Sequence, residues 1–228
     1  MNHWGSVWQG LDWSVPLELL FSAAASLLCI TLHELSHGYV AWKLGDPTAK
    51  EQGRLTLNPL RHIDWLGLVM MIAFKFGWAK PVPVNMYRFH NPKKGMALTA
   101  LAGPVSNVLL TCLALFLYGL TYAFLSRGGL VANGVLEMLG TIAYLSLALA
   151  VFNIIPIPPL DGSKVLFSFL SQQNYNRLMR YERYGMLLLL LLVATRVLGA
   201  PLSSAVSWGI GRLFFLAEWG ARIAGGLA

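Results

Sequence analysis

Long apolar stretches broken by short polar ones set the organisation of this chain. The first runs from Leu17 to Trp42, longer than the roughly 20 residues a membrane-spanning helix needs, and Gly45-Asp46-Pro47 ends it. Met96–Leu125 and Gly134–Ile155 are also long enough to span, and the short polar link between them predicts an antiparallel pair. Between the first run and this pair the pattern changes. Arg54-Leu55-Thr56-Leu57 reads as a short strand, Asn58-Pro59 as a turn and Pro81-Val82-Pro83-Val84 as extended chain. Trp65–Trp78 is apolar but only about fourteen residues long, the length of a re-entrant or interfacial segment.

After the pair comes Pro156-Ile157-Pro158-Pro159-Leu160-Asp161-Gly162, where the prolines remove backbone donors and forbid a continuing helix. Asp161 then opens a helical stretch over Gly162–Leu170, its carboxylate favourable at a helix N-terminus. Met186–Val193 is strongly apolar, and Leu202–Gly220 reads either as a last span or as an amphipathic interfacial helix. The expected fold is an all-α polytopic membrane protein with four to six transmembrane helices, five being the favoured count. A short β-hairpin or re-entrant segment is expected on its cytoplasmic side. Residues 1–228 read as a single membrane-embedded domain, with a core over about 17–170 and C-terminal helices over 177–224.

Composition supports a lipid solvent. The 228 residues are 56% hydrophobic and 12% charged, about half the charged fraction of an ordinary soluble domain, and the mean hydropathy is +0.59. The net charge of +7 raises nucleic acid as a partner, but the basic residues lie in connecting segments without a nucleic-acid fold signature, which excludes that class. None of the 17 Lys and Arg falls in residues 1–42, and nine fall between Lys43 and Lys94. Lys164, Arg177, Arg180 and Arg183 form a second cluster, whereas the link near Ser126–Asn133 has only Arg127. The positive-inside rule therefore places the N-terminus and that link outside, and both basic regions in the cytoplasm of a multi-pass cell-membrane protein. Met1–Pro16, with three Trp and no basic n-region, reads as an interfacial anchor rather than a signal peptide. Cys29 and Cys112 lack metal spacing and read as small buried apolar residues.

Chemistry enters with His33-Glu34-Leu35-Ser36-His37, inside the first apolar run. Histidines four apart on a helix share a face, so both imidazoles can reach one Zn²⁺, with Glu34 placed to take a proton from water. Three ionisable groups in five positions of a span are costly and call for a partner or a wet cavity. A catalytic zinc takes three protein ligands and leaves one position open. His62 and His90 lie in the basic cytoplasmic region and His3 near the opposite face. Asp161 is the acidic residue embedded in a backbone-broken apolar segment, and is the expected third ligand. Helix N-capping is the plainer use of an Asp there. His62 with Asp64 reads as an interfacial polar cluster, and Arg196 receives no function.

These motifs resemble the site-2 proteases, intramembrane zinc metalloproteases that cut transmembrane substrates. Asn153-Ile154-Ile155-Pro156-Ile157-Pro158-Pro159-Leu160-Asp161-Gly162 matches that family's Asn-x-x-Pro-x-Pro-x-Leu-Asp-Gly element, and Ala102-Gly103-Pro104-Val105-Ser106-Asn107 is similar to its Gly-Pro-x-x-Asn element. The resemblance implies that His33, His37 and Asp161 bind zinc, that Glu34 activates water and that Asn153 contacts substrate. A hydrogen bond satisfying the proline-rich turn is the plainer use of Asn153. Helix packing and backbone satisfaction are the favoured reading of Gly103, Pro104 and Asn107. The chain carries no PDZ-like insertion between its core helices and no nucleotide-sensing domain after them, as in the compact branch of the family, and no full span precedes the pentad.

The expected function is therefore an intramembrane zinc metalloendopeptidase opening toward the cytoplasm, its partners a transmembrane protein or peptide and the lipid bilayer. Homo-oligomer formation is left open by the sequence. One rival is a prenyl-protein protease, which would need a downstream glutamate, and neither Glu137 nor Glu182 sits in a comparable motif. The other is a membrane metal-binding transporter or non-proteolytic scaffold, which would hold metal without cleaving peptides.

Overall fold

A computed structural model describes residues 14–67, 69, 79–125, 129–180 and 182–227. The expected N-terminal anchor, most of Trp65–Trp78 and the start of the link after Leu125 lie outside them.

The leading apolar run forms α1 (Ser14–Lys43), closed by Gly45 at φ 107°, a backbone conformation that glycine adopts freely. A single turn, α2 (Thr48–Glu51), follows. Its entry is organised by the fully buried Asp46, whose carboxylate accepts from the Thr48 N–H at 3.0 Å, from the Thr48 hydroxyl and from the Asn85 N–H at 2.6 Å.

Arg54–Leu57 is a series of bends, not the strand expected from its residues. Among the described residues β-pairing is confined to one isolated antiparallel bridge, Ile63 with Ala79, where Lys80 N–H donates to the His62 carbonyl at 2.9 Å. Side chains take the bonds a sheet would have made. The Arg54 guanidinium donates to the Lys80 carbonyl at 2.8 Å, and the buried His62 ring meets the Thr56 carbonyl at 2.9 Å. Pro81 and Pro83 offer no N–H, while the Val82 and Asn85 N–H groups are taken by Glu34 and Asp46 of α1 and the turn after it.

The antiparallel pair is present as α3 (Pro92–Leu125) and α4 (Leu130–Asn153). α3 starts four residues earlier than expected, because Asn91 accepts from the Lys94 N–H through its side chain at 3.1 Å and Pro92 suits a first helical position. The proline-rich turn leads into α5 (Asp161–Ser168). After α6 (Gln172–Arg180) and α7 (Glu182–Ala194), the last apolar region divides into α8 (Gly199–Leu213) and α9 (Phe215–Leu227).

Three of the described helices are long and apolar enough to cross a membrane: α1 from Leu19, α3 to Tyr122, and α4. A fourth crossing arises if Tyr184–Ala194 and Gly199–Gly225, bent by 84° around their break, form one broken span. Arg196 at φ 57° lies in that break.

Small residues build the core where α1, α3, α4 and α9 meet: Ala25 and Cys29, Ala114, Ile142 and Ala143, and Ala217. A side chain at Gly119 would run into the Ala217 backbone and one at Gly220 into the Phe116 carbonyl, so these glycines allow α3 and α9 to touch. Cys29 and Cys112 are both free thiols; Cys29 is buried, as expected, and Cys112 is half-buried.

Candidate metal centre

Three segments distant in sequence converge beside this core. His33 and His37 project from the same face of α1, their rings nearly perpendicular with centroids 4.6 Å apart. The proline-rich turn folds the chain back so tightly that a Cβ on Gly162 would strike the Ile154 carbonyl, and this delivers Asp161 to the histidines. Asp161 Oδ2 lies 3.2 Å from His33 Nε2 and 3.1 Å from His37 Nε2, and the two nitrogens are 3.0 Å apart. All three residues are buried.

The atoms at this meeting point fit a metal. Three ligands each about 2.0–2.2 Å from one ion have edges near those observed, and two imidazoles with one carboxylate form a zinc-type donor set with a fourth position left open. His37 Nδ1 lies 2.7 Å from the Thr99 carbonyl, which can only accept. Its Nδ1 therefore carries a proton, which leaves Nε2 as the ring atom available to a metal. Asp161 Oδ2 is itself a buried acceptor without a hydrogen-bond donor. Capping does not explain Asp161: Leu160 is the N-cap of α5, and no side-chain cap bond is made. Lys164 Nζ stands 3.8 Å from the other carboxylate oxygen.

Glu34 lies outside this triangle. Its Oε2 accepts from the Val82 N–H at 2.8 Å, so the extended segment holds the carboxylate in place. Asn153, the last residue of α4, donates through Nδ2 to the Leu149 carbonyl at 3.0 Å, a bond back into its own helix rather than to a carbonyl of the proline-rich turn.

α3 supplies contacts that sequence reasoning missed, since it read Gly103 and Asn107 as packing residues and did not single out Thr99. Thr99, Gly103 and Asn107, spaced by four, lie along its face toward α1. Thr99 offers its carbonyl to His37, while Asn107 Nδ2 faces His33 Nδ1 at 3.2 Å. Gly103 lies against both rings: a Cβ there would stand 2.5 Å from His37 Nε2 and 2.6 Å from His33 Cε1. The i, i+4, i+8 spacing was the available signal. The Val82 contribution, a backbone N–H, had none.

Helices long enough to span, enclosing a buried two-histidine, one-aspartate cluster beside a glutamate, define a membrane metallohydrolase framework. The sequence model of Peptidase family M50 matches residues 120–194, the stretch containing Asn153–Gly162. "Putative zinc metalloprotease YwhC" of Bacillus subtilis is 37% identical over 195 residues, 85% of this chain and 87% of that protein. "Putative zinc metalloprotease Rip2" of Mycolicibacterium smegmatis is 30% identical over 209 residues, 88% of this chain and 78% of that protein. "Putative zinc metalloprotease MJ0611" of Methanocaldococcus jannaschii is 33% identical over 135 residues, 59% of this chain and 62% of that protein. No solved structure matches. The chain belongs to peptidase family M50, the site-2 proteases.

Proposed function

We propose that this protein is an intramembrane zinc metalloendopeptidase that hydrolyses peptide bonds of transmembrane substrates. The observation that carries the reading is the triangle of His33 Nε2, His37 Nε2 and Asp161 Oδ2, with edges of 3.0–3.2 Å. His33, His37 and Asp161 would hold Zn²⁺, which when bound supplies Lewis acidity that polarises a carbonyl and acidifies water. Glu34 takes the proton from the attacking water and delivers it to the leaving amine. Its bond to the Val82 N–H fixes one carboxylate oxygen and leaves the other for that transfer. Asn153 Oδ1 is not used in the bond to Leu149 and is the atom we assign to a substrate N–H.

The same reading includes the whole chain as one membrane-embedded domain, four to six spans, an outside N-terminus and a site open to the cytoplasm. The uneven Lys and Arg distribution supports the orientation. His37 and His33 lie six and ten residues before the end of α1, about 9 and 15 Å from it, a depth that water can reach from that side. The extended Pro81–Val84 segment, bonded to Glu34 through the Val82 N–H, is the part of the chain we assign to line the path of the substrate.

The test is cleavage of a membrane peptide by purified wild type, Glu34→Gln and Asp161→Ala, with zinc content measured in each. Glu34→Gln is expected to keep zinc and lose about 10²–10⁴-fold in rate, as removal of a general base does. Asp161→Ala is expected to lose both. Equal cleavage by Glu34→Gln and wild type would reject Glu34 as the base. Zinc bound by a wild type that cleaves no peptide would favour the transporter or scaffold.

A further inference from the structure

Asn107 is a fully buried amide in the middle of an apolar helix pair, and its surroundings show that it is held there. The Ser146 hydroxyl of α4 donates to the main-chain carbonyl of Asn107 at 3.0 Å. The Thr111 hydroxyl lies 3.0 Å from the same carbonyl and 3.2 Å from that of Ala143. Asn107, Thr111 and Ser146 all have zero exposure. These bonds fix the backbone of α3 at Asn107 and leave its side-chain amide, a polar group too deep to stay unpaired without cost, to find a partner of its own.

The amide faces one target. Its Nδ2 lies 3.2 Å from His33 Nδ1, while Oδ1 is buried without a partner. The two ends of an amide have the same shape and are told apart by their hydrogen bonds. With Nδ2 toward His33, Nδ1 must be the acceptor, and the ring proton sits on Nε2, the atom turned toward His37 Nε2 and Asp161 Oδ2. A ligating His33 needs the opposite arrangement. Turning the amide over places Oδ1 on Nδ1–H and frees the Nε2 lone pair. Either orientation leaves one amide end unpaired, so pairing elsewhere does not oppose the exchange.

We infer that Asn107 is the positioning residue of His33: in the metal-loaded protein its Oδ1 accepts the Nδ1–H bond and locks the tautomer whose Nε2 faces the metal. This rests on the zinc reading above. It makes α3 the outer support of both histidines, a backbone carbonyl at Thr99 serving His37 and a side-chain amide at Asn107 serving His33. Such outer partners orient ligating imidazoles and raise their basicity, and losing one typically weakens metal affinity 10–100-fold.

Zinc affinity is measured by competition with a fluorescent chelator, using zinc alone as the probe, on full-length wild type, Asn107→Leu and Asn107→Asp. Asn107→Leu, of similar volume but with no acceptor, is expected to bind zinc 10–100-fold more weakly. Asn107→Asp, which keeps an acceptor, is expected to stay close to wild type. A structural role alone would instead spare zinc affinity in any variant that folds. In zinc-loaded wild type the ¹H–¹⁵N spectrum should show the His33 Nδ1 proton downfield and slow to exchange, and this needs no variant to fold. A fast-exchanging proton, metal bound through Nδ1, or wild-type affinity in Asn107→Leu would overturn the inference while leaving the zinc reading standing. A wild type that binds no zinc overturns both.

Discussion

A residue with no side chain sets one of the tightest tolerances at this site. Gly103 packs against both imidazoles on α3, where Ala would ordinarily stabilise a helix by about 0.5–1 kcal/mol over Gly. Here the added methyl would stand 2.5 Å from His37 Cε1 and Nε2, so the rings or α3 must move. Gly103→Ala is expected to lower zinc affinity and peptide cleavage at least about 10-fold, because donor atoms must converge to within tenths of an ångström. Gly140→Ala on α4 is the control, since a Cβ there meets nothing within 4 Å, and it should leave both unchanged. Zinc titration and peptide cleavage of the two variants check this. At this scale the sequence spoke unevenly. His33, Glu34 and His37 were legible because a single helix positions them, and Asp161 because a lone carboxylate after a broken backbone is conspicuous. Thr99 and Asn107 act across 62 and 74 residues of sequence, through a helix contact whose one local sign is their shared face on α3.

Among the elements, the segment around Pro81–Asn85 shows most clearly how burial overrides propensity. Its residues favour extended chain, and extended chain is what forms, but the donors that a partner strand would use are taken by carboxylates. Glu34 holds the Val82 N–H, and Asp46 holds the Asn85 N–H. Arg54–Leu57 accordingly gains nothing from pairing and bends instead. α3 and α4 were legible as elements because a long apolar run has few alternatives to a helix, whereas their ends were decided by Asn91 and by the turn into Pro156. Asp46→Ala leaves the half-buried Thr48 and Asn85 N–H groups without their acceptor, at a cost of about 1 kcal/mol each where water does not replace the carboxylate. The expected outcome is faster limited proteolysis between Pro81 and Asn91 and lower thermal stability, with zinc stoichiometry unchanged. Asp46→Asn, which keeps an acceptor, should show the smaller effect.

For the whole molecule, the site joins parts of the chain that folding must bring together by separate routes. α1 carries two donors, α5 carries the third, and α3 packs against both of them. The ion binds the assembled triangle far better than the unfolded chain, so mass action transfers its binding energy to the folded state. Free zinc at 100 times the dissociation constant adds about 2.7 kcal/mol. Wild type is therefore expected to show a melting temperature that rises with zinc and falls after chelation. Asp161→Ala should melt at one temperature with or without zinc, because one donor of the triangle is missing. Glu34→Gln should keep the full zinc-dependent rise, since Glu34 contacts Val82 and none of the three donor atoms. Differential scanning fluorimetry in detergent reads all three. A zinc response that survives in Asp161→Ala would mean that the ion stabilises the protein from another place, and the triangle would lose its claim to be the metal centre.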